Sequence, residues 1–130
     1  MAYTNKEDQK KAARRHYLAN KTVYIERARL GKIKSIARNR RFLYEYLLIH
    51  SCVDCRETNP IVLEFDHDKS KEKEDNISNM MCNGVSLSKL QLELDKCEVR
   101  CANCHRIKTA REENWWINRA VEESGSNPVS

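Results

Sequence analysis

The chain has 130 residues, of which 40% are hydrophobic and 33% charged, with six cysteines, three glycines and two prolines. This length is enough for one compact domain with extensions, and the composition excludes collagen-like chains and small disulfide knots. The net charge is +5; no apolar run approaches the roughly 18 residues of a membrane span, and the first eight residues lack the apolar stretch of a secretory signal, so we expect a cytoplasmic protein without membrane association.

Residues 6–50 are predicted to be mostly helical, because they combine strong helix formers with a single glycine and no proline. A break is expected near residues 20–22. The second helical stretch carries an apolar packing stripe of Ile33, Ile36, Leu43 and Leu47. It also carries a basic stripe of Arg27, Lys34, Arg38 and Arg41 at spacings close to whole helical turns.

The positive charge is concentrated in this region. Residues 1–50 hold 13 Lys or Arg against four acids, whereas the rest of the chain has more acidic than basic residues. We therefore interpret residues 1–40 as a basic helical extension directed at a polyanion. The plain alternative is a helix whose charges serve only to solvate it.

The middle of the chain begins with the first knuckle, Cys52-Val53-Asp54-Cys55. The β-branched and apolar run at residues 61–65 predicts a short strand that ends at Asp66-His67. Residues 69–84 are interpreted as a loop with little order. Ser86 is a plausible N-cap for a helix whose Leu87, Leu90 and Leu94 line one face.

An extended piece at residues 98–100 leads into the second knuckle, Cys101-Ala102-Asn103-Cys104. One final helix is predicted from Ala102 to Ala120, with a buried stripe of Ile107, Ala110 and Ile117. The polar tail, residues 121–130, is predicted to be disordered.

Four of the cysteines form two Cys-x2-Cys pairs, Cys52 with Cys55 and Cys101 with Cys104. Two residues between thiolates allow one tight turn to present both sulfurs to a tetrahedral ion, so two such turns predict a structural four-thiolate zinc site. Two disulfides or a redox pair are the alternatives, which a reducing compartment disfavours. Cys97 continues the leucine stripe and is interpreted as a small buried hydrophobe.

Three further residues lie next to the knuckles. Asp66 and His67 end the predicted strand, and His105 directly follows the second knuckle. A zinc ion that joins the knuckles would bring all three near one another. A carboxylate and an imidazole then form a partial metal site with open positions, as catalytic metals require. Taken singly, Asp66 and His105 have ordinary explanations as turn and helix caps.

The joint pattern resembles the HNH endonuclease family, of the zinc-knuckle kind common among phage and homing nucleases. The matching residues run from Cys52 to Lys108, through Phe65-Asp66-His67 and the second knuckle with His105-Arg106-Ile107-Lys108. The resemblance implies an α+β chain whose residues 41–120 form a small ββα-metal core, stabilised by the zinc site. It also implies that His67 is the general base and that Asp66 and His105 are the catalytic metal ligands.

The family's middle Asn usually lies five residues before the second knuckle, where this chain has Lys96. The implied activity is metal-dependent hydrolysis or nicking of DNA that leaves 5′-phosphate and 3′-hydroxyl ends. We expect Mg²⁺ or Mn²⁺ as the catalytic ion, with other transition metals tolerated because imidazole is a ligand. Arg106 and Lys108, together with the basic stripe, are expected to contact phosphates.

Two alternatives stay open at this point. The chain can be a non-catalytic zinc-stabilised DNA-binding module, in which Asp66 and His67 are structural. It can also be an accessory nuclease subunit of a larger phage or recombination machine. As a monomer, one such site cuts one strand per visit, so a double-strand break requires a dimer or two encounters.

Overall fold

Residues 5–125 are described by a computed structural model, which shows a mostly helical α+β protein with one two-stranded antiparallel sheet. The strands are β1 (Leu63–His67) and β2 (Cys97–Cys101). The helices are α1 (Lys6–Ala19), α2 (Lys21–Ile49), α3 (Ile77–Cys82), α4 (Leu87–Leu94), α5 (Ala102–Glu112) and α6 (Trp116–Glu123). None of these helices combines the length and the apolar character needed to cross a bilayer.

The N-terminal region is helical with one break, as predicted. The Asn5 side chain caps α1 by accepting a hydrogen bond from the Asp8 amide at 2.8 Å, and the break falls at Asn20. The apolar stripe is only partly a packing face, because Leu43 is buried whereas Ile33 is 49% exposed. The inclusion of Ile33 was therefore wrong, since the buried part of α2 begins only at Asn39.

The sheet lies at the centre of the C-terminal half. Leu63 pairs with Cys101 and His67 with Cys97. One end of the sheet therefore carries a knuckle cysteine, and the other end carries His67. The predicted strand is displaced by two residues because Pro60–Val62 forms a 3-10 turn, in which the Asn59 side chain accepts from the Ile61 amide. The extended piece predicted at residues 98–100 is the centre of β2.

Two apolar clusters support the sheet. One joins α2, α3 and α4, and its buried members are Leu43, Ile77, Met80, Leu90 and Leu94. The other surrounds the knuckles, and its buried members are Cys52, Leu63, Val99 and Cys101. Phe65 of β1 packs against both. The Ser86 cap is confirmed, since its hydroxyl accepts from the Lys89 amide.

The loop predicted at residues 69–84 is wrong over its last part, where α3 forms. Ile77 and Met80, three residues apart, bury one face of this helix. Gly84 ends it with a φ of +68°, a left-handed conformation that glycine adopts without steric cost. The amides of Gly84 and Val85 bond back to the carbonyls of Met81 and Met80.

The prediction of a single final helix was also wrong, because the chain forms two helices, α5 and α6, in its place. Asn114 adopts a φ of +49°, and the Trp115 amide bonds to the Ala110 carbonyl at 2.9 Å, which is a Schellman termination. Ala110 is buried as predicted, but Ile117 is 45% exposed beyond the break. Helix α6 continues to Glu123, three residues into the predicted tail, and residues 126–130 lie outside the described residues.

Candidate functional site

The four knuckle cysteines lie together, with their sulfur atoms all within 4.8 Å of one another. The first knuckle follows α2, and the second joins the end of β2 to the first turn of α5. Cys101 is also the N-cap of α5, since its Sγ accepts a hydrogen bond from the Cys104 amide at 3.4 Å. The cluster therefore ties α2, the sheet and α5 at one point.

The spacing of the sulfurs suits a tetrahedral metal ion. The Sγ atoms of Cys55 and Cys101 are 3.6 Å apart, and a zinc ion with bonds of about 2.3 Å holds its four sulfurs roughly 3.8 Å from one another. With four thiol ligands there is no open position for a substrate. The cysteines can thus hold a structural metal such as zinc, as their sequence spacing predicts.

The thiols of this cluster differ in acidity. Burial alone would raise the pKa of the Cys52 thiol, but hydrogen bonds from the backbone of Cys101, Cys55 and Asp54 lower it to about 6. Hydrogen bonding to Cys101 and burial raise the pKa of Cys104. The four thiols therefore differ in how readily they lose a proton. Because a metal ion binds thiolates, its binding would release the protons that remain on the sulfurs.

The two other cysteines lie outside the cluster. Cys97 is half-buried against the apolar cluster of α2, α3 and α4, and burial raises its pKa to about 11. Cys82 is exposed. The prediction that Cys97 serves as a packing residue agrees with this environment, although it lies on β2 and not on the leucine-bearing helix.

Asp66 lies on the face of β1 that is turned toward α5, and only 8% of it is exposed. Its Oδ1 is 3.4 Å from His105 Nε2. Its Oδ2 accepts hydrogen bonds from Arg100 Nη1 at 2.6 Å and Lys108 Nζ at 2.8 Å. Burial would raise the pKa of the Asp66 carboxyl, but these two cations outweigh it and hold the pKa below its ordinary value.

The His105 ring is placed between two carboxylates of β1. Its Nδ1 is 3.4 Å from Glu64 Oε2, on the same strand face as Asp66. Since His105 is in the first turn of α5 and β1 pairs with β2, the second knuckle fixes the distance between this ring and the strand. The predicted proximity of Asp66 and His105 is thus present.

His67 is on the opposite face of β1. Its Nε2 is 3.1 Å from Oε1 of Glu93 on α4, and 14% of its side chain is exposed. In the described part of the chain the four cysteines are the only group of three or more His, Cys, Asp or Glu residues placed to share one ion. Asp66 and His105 therefore form a two-residue pair, and His67 does not join it as a third ligand.

All three residues nevertheless line one cleft. This cleft has a volume of about 740 Å³ and is bordered by Asp66, His67 and His105. The connection between β1 and α3 also lines the cleft and contributes Lys69, Lys71, Lys73 and Asn76. The segment predicted as an unordered loop therefore supplies three lysines to the cleft that contains both histidines.

The remaining residues predicted to contact nucleic acid are differently placed. Lys108 is turned inward to Asp66 and Glu112, and the guanidinium of Arg106 lies 4.7 Å from the centre of the Trp115 ring. Among the basic stripe, Arg27, Lys34 and Arg41 are exposed. Arg38 also donates to the carbonyl of Val85 at 2.8 Å and thereby helps to hold α2 against the α3–α4 turn.

Two residues of this site were missed from the sequence. Arg100 binds Asp66, and Glu93 binds His67 across elements that are far apart in the chain. Neither residue belongs to a recognisable motif. The one available signal was the position of Glu93 next to Leu94, on a helix whose leucines were expected to be buried.

Comparison with protein families, curated proteins and solved structures finds no match to this chain.

Proposed function

We propose that this protein is a metal-dependent DNA endonuclease or nickase, in which His67 is the general base and Asp66 and His105 hold one divalent cation. The observation that carries the proposal is the distance of 3.4 Å between Asp66 Oδ1 and His105 Nε2, in a cleft that also contains His67. The products expected are 5′-phosphate and 3′-hydroxyl ends, as the resemblance to HNH endonucleases implies.

The two ligand atoms fit a shared cation. Oxygen and nitrogen ligands at about 2.0–2.2 Å from an ion lie roughly 3–3.5 Å apart when they are adjacent in its coordination shell. Asp66 is ionised at neutral pH because Arg100 and Lys108 hold its pKa low. Since both of these cations bind Oδ2, Oδ1 is the oxygen available to a metal.

Asp66 and His105 have a different task in hydrolysis from that of His67. Asp66 and His105 would hold the divalent ion, which would supply Lewis-acid stabilisation of the negative charge that develops during hydrolysis of the phosphodiester. The His67 imidazole accepts a proton from the attacking water, a task for which histidine is the side chain that enzymes use most often. His67 contacts a residue of α4, whereas Asp66 is bound by residues of β2 and α5.

Lysines of the cleft support an anionic substrate. Lys71 and Lys73 project from the connection that borders the cleft, and in the described chain neither forms an ion pair. They are suited to the phosphates that flank a scissile bond, whereas Arg27, Lys34 and Arg41 are suited to more distant backbone contacts. Because such contacts do not read bases, we expect weak sequence preference.

A second function is favoured by one observation. Asp66 is already neutralised by Arg100 and Lys108, which is what a purely structural carboxylate requires. Under this reading, the protein is a zinc-stabilised DNA-binding module without catalysis. The two proposals differ in whether Asp66 Oδ1 binds a cation.

Cleavage of supercoiled plasmid separates them. The full-length, zinc-loaded chain is freed of other metals and incubated with plasmid and added Mg²⁺ or Mn²⁺. We expect relaxation that depends on the added ion and that slows by about 10²-fold or more in His67→Ala. The matched control is His16→Ala, a histidine of α1 that contacts Tyr24, and it should cut at the wild-type rate.

Two outcomes oppose the nuclease proposal. If the wild-type protein binds plasmid but no divalent ion supports cutting, the binding module is the better description. If His67→Ala cuts as fast as the wild type, then His67 is not the base.

A further inference from the structure

A buried carboxylate contacts the proposed general base. Glu93 on α4 is only 1% exposed, although a glutamate is rarely buried without partners. Its Oε1 lies 3.1 Å from His67 Nε2 and accepts the backbone amide of Glu74 at 3.0 Å. Its Oε2 accepts from Lys96 Nζ at 3.0 Å. Two of the three contacts of this carboxylate therefore come from groups that can only donate, the Glu74 amide and the Lys96 ammonium.

These partners keep Glu93 ionised. Burial opposes the charge and would raise the pKa of the carboxyl. Hydrogen bonds from Lys96, the Glu74 amide and His67 outweigh burial and lower the pKa. An ionised carboxylate has no proton to donate, so the hydrogen in the contact with His67 must be on the imidazole.

This constraint determines which of the two ring nitrogens of His67 carries the proton. Neutral imidazole carries one proton, and the hydrogen bond made by one nitrogen determines the state of the other. With Nε2–H donated to Glu93, Nδ1 is the unprotonated nitrogen. In the described chain Nδ1 has no hydrogen-bond partner, and His67 borders the cleft that holds Asp66 and His105.

From this geometry we infer that Glu93 is a positioning residue, which fixes His67 as the Nε2–H tautomer and leaves Nδ1 as the atom that takes the proton from water. The inference rests on the proposed function for the proton-transfer step, whereas the tautomer assignment stands independently of it. Water loses one proton to Nδ1, and the proton on Nε2 stays in its bond to Glu93. The resulting imidazolium faces an anionic partner.

Lys96 acts through Glu93. Its side chain is 28% exposed, and its ammonium binds the carboxylate oxygen that His67 does not use. Lys96 thereby orients the carboxylate as well as compensating its charge. The general base is thus supported by a chain of two ionic groups, both supplied by the end of α4 and the turn that follows it.

The tautomer can be measured directly. The ¹⁵N shifts of His67 in the zinc-loaded protein distinguish a protonated from a bare ring nitrogen, at a pH where the shifts show that the ring is neutral. We expect protonated Nε2 and bare Nδ1 in the wild type. In Glu93→Gln we expect a mixture of tautomers, because an amide can both donate and accept. The matched control is Glu72→Gln, an exposed glutamate of the β1–α3 connection.

Cleavage kinetics give the second readout. Glu93→Gln should lower kcat by about 10²-fold or more, as replacing the orienting carboxylate of a catalytic histidine by an amide does elsewhere. It should leave KM within about twofold, since Glu93 is buried and does not line the cleft, and Glu93→Asp should recover part of the loss because it restores the charge.

The outcomes separate the two proposals. A wild-type His67 that carries its proton on Nδ1 overturns the inference whether or not the protein cuts DNA. Equal kcat in the wild type and in Glu93→Gln also overturns it. A wild-type Nε2–H tautomer in a protein that cuts no DNA confirms the assignment of the ring and removes the proposed function.

Discussion

The two faces of β1 each carry a carboxylate–histidine pair, and the two pairs are built differently. Asp66 shares Oδ2 between Arg100 and Lys108, while among residues 5–125 the one polar neighbour of Oδ1 is His105, at 3.4 Å. Glu93 uses both oxygens in hydrogen bonds of 3.0–3.1 Å. The first pair keeps an oxygen for an added ligand, whereas the second is complete. This difference is why we assign metal binding to one face and positioning to the other.

The pairs also depend on different sources of stability. Asp66 and His105 are brought together by the second knuckle, because His105 follows Cys104 directly in α5. Glu93 reaches His67 from α4, whose Leu90 and Leu94 are buried in the larger apolar cluster. One pair therefore depends on the cysteine cluster, and the other on apolar packing. A change that disrupts the cysteine cluster should therefore leave the Glu93–His67 pair in place. A change that disrupts the apolar packing of α4 should leave the Asp66–His105 pair in place.

The largest effect is expected on removing a metal ion from the four-cysteine cluster. A bound zinc is a large source of stability in small zinc domains, and here it would act first on β2 and α5, which carry the second knuckle. Chelation, or Cys101→Ser, should abolish hydrogen-exchange protection in β2 and α5 before it does so in α4, and should separate His105 from Asp66. Exchange measured by mass spectrometry tests this order.

Cys82→Ser is the matched control for this experiment, since Cys82 is an exposed cysteine outside the cluster. It should leave both protection and zinc content unchanged. Simultaneous loss of protection in α4 and α5 would show that the two supports are not separable.

Replacing either carboxylate should lower the free energy of unfolding by a smaller amount, and by a different amount for Glu93 than for Asp66. Glu93→Gln leaves a partly buried Lys96 without its carboxylate and should cost about 2–3 kcal/mol. Asp66→Asn should cost about 1 kcal/mol, because Arg100 retains Asp54 and Glu98. Urea unfolding of the zinc-loaded proteins at pH 7 measures both free energies. The reverse ranking would mean that Asp66 and not Glu93 is the structural carboxylate.

The cost of Glu93→Gln should depend on pH. The pKa of Glu93 in the folded state lies below its ordinary value of 4.5. Its ionic contribution to stability is therefore present above about pH 4.5 and declines as the pH falls toward the folded-state pKa. The difference in unfolding free energy between the wild type and Glu93→Gln should narrow below pH 4.5, and a difference that is constant with pH would contradict the ionic role.

The smallest change in this series concerns the basic stripe, which touches neither pair. Replacing Arg27, Lys34 and Arg41 by alanine should make the slope of log affinity against log salt shallower by about 3, at roughly 0.9 per phosphate contact. Turnover at saturating DNA should be unchanged. Lys89→Ala, on α4, should alter neither quantity. An unchanged salt slope in the triple variant would assign the stripe to another partner or to solvation alone.

The sequence predicted features that depend on local patterns. The helices around the break at Asn20, the Ser86 cap and the clustering of the four cysteines follow from propensity, capping chemistry and ligand spacing. Asn114, which adopts the left-handed conformation that ends α5, was a local signal as well, and it was overlooked.

Features that depend on long-range contacts were not predictable in this way. Helix α3 has only six residues and is defined by the burial of Ile77 and Met80 against other helices. Glu93 and His67 are 26 residues apart, and no spacing rule connects a glutamate on a leucine-rich helix to a strand histidine. The resemblance called attention to Lys96 only as a departure from the family's Asn, and nothing in the local sequence indicated that Lys96 binds Glu93.

Binding of Mn²⁺ to the zinc-loaded, full-length protein tests the central claim most directly, with electron paramagnetic resonance as the readout. The account predicts one Mn²⁺ per chain in the wild type, loss of that site in Asp66→Asn and in His105→Ala, and its retention in His67→Ala. Absence of bound Mn²⁺ from the wild type, both with and without duplex DNA, or equal binding in all four proteins, would contradict the assignment of Asp66 and His105 as the catalytic metal ligands.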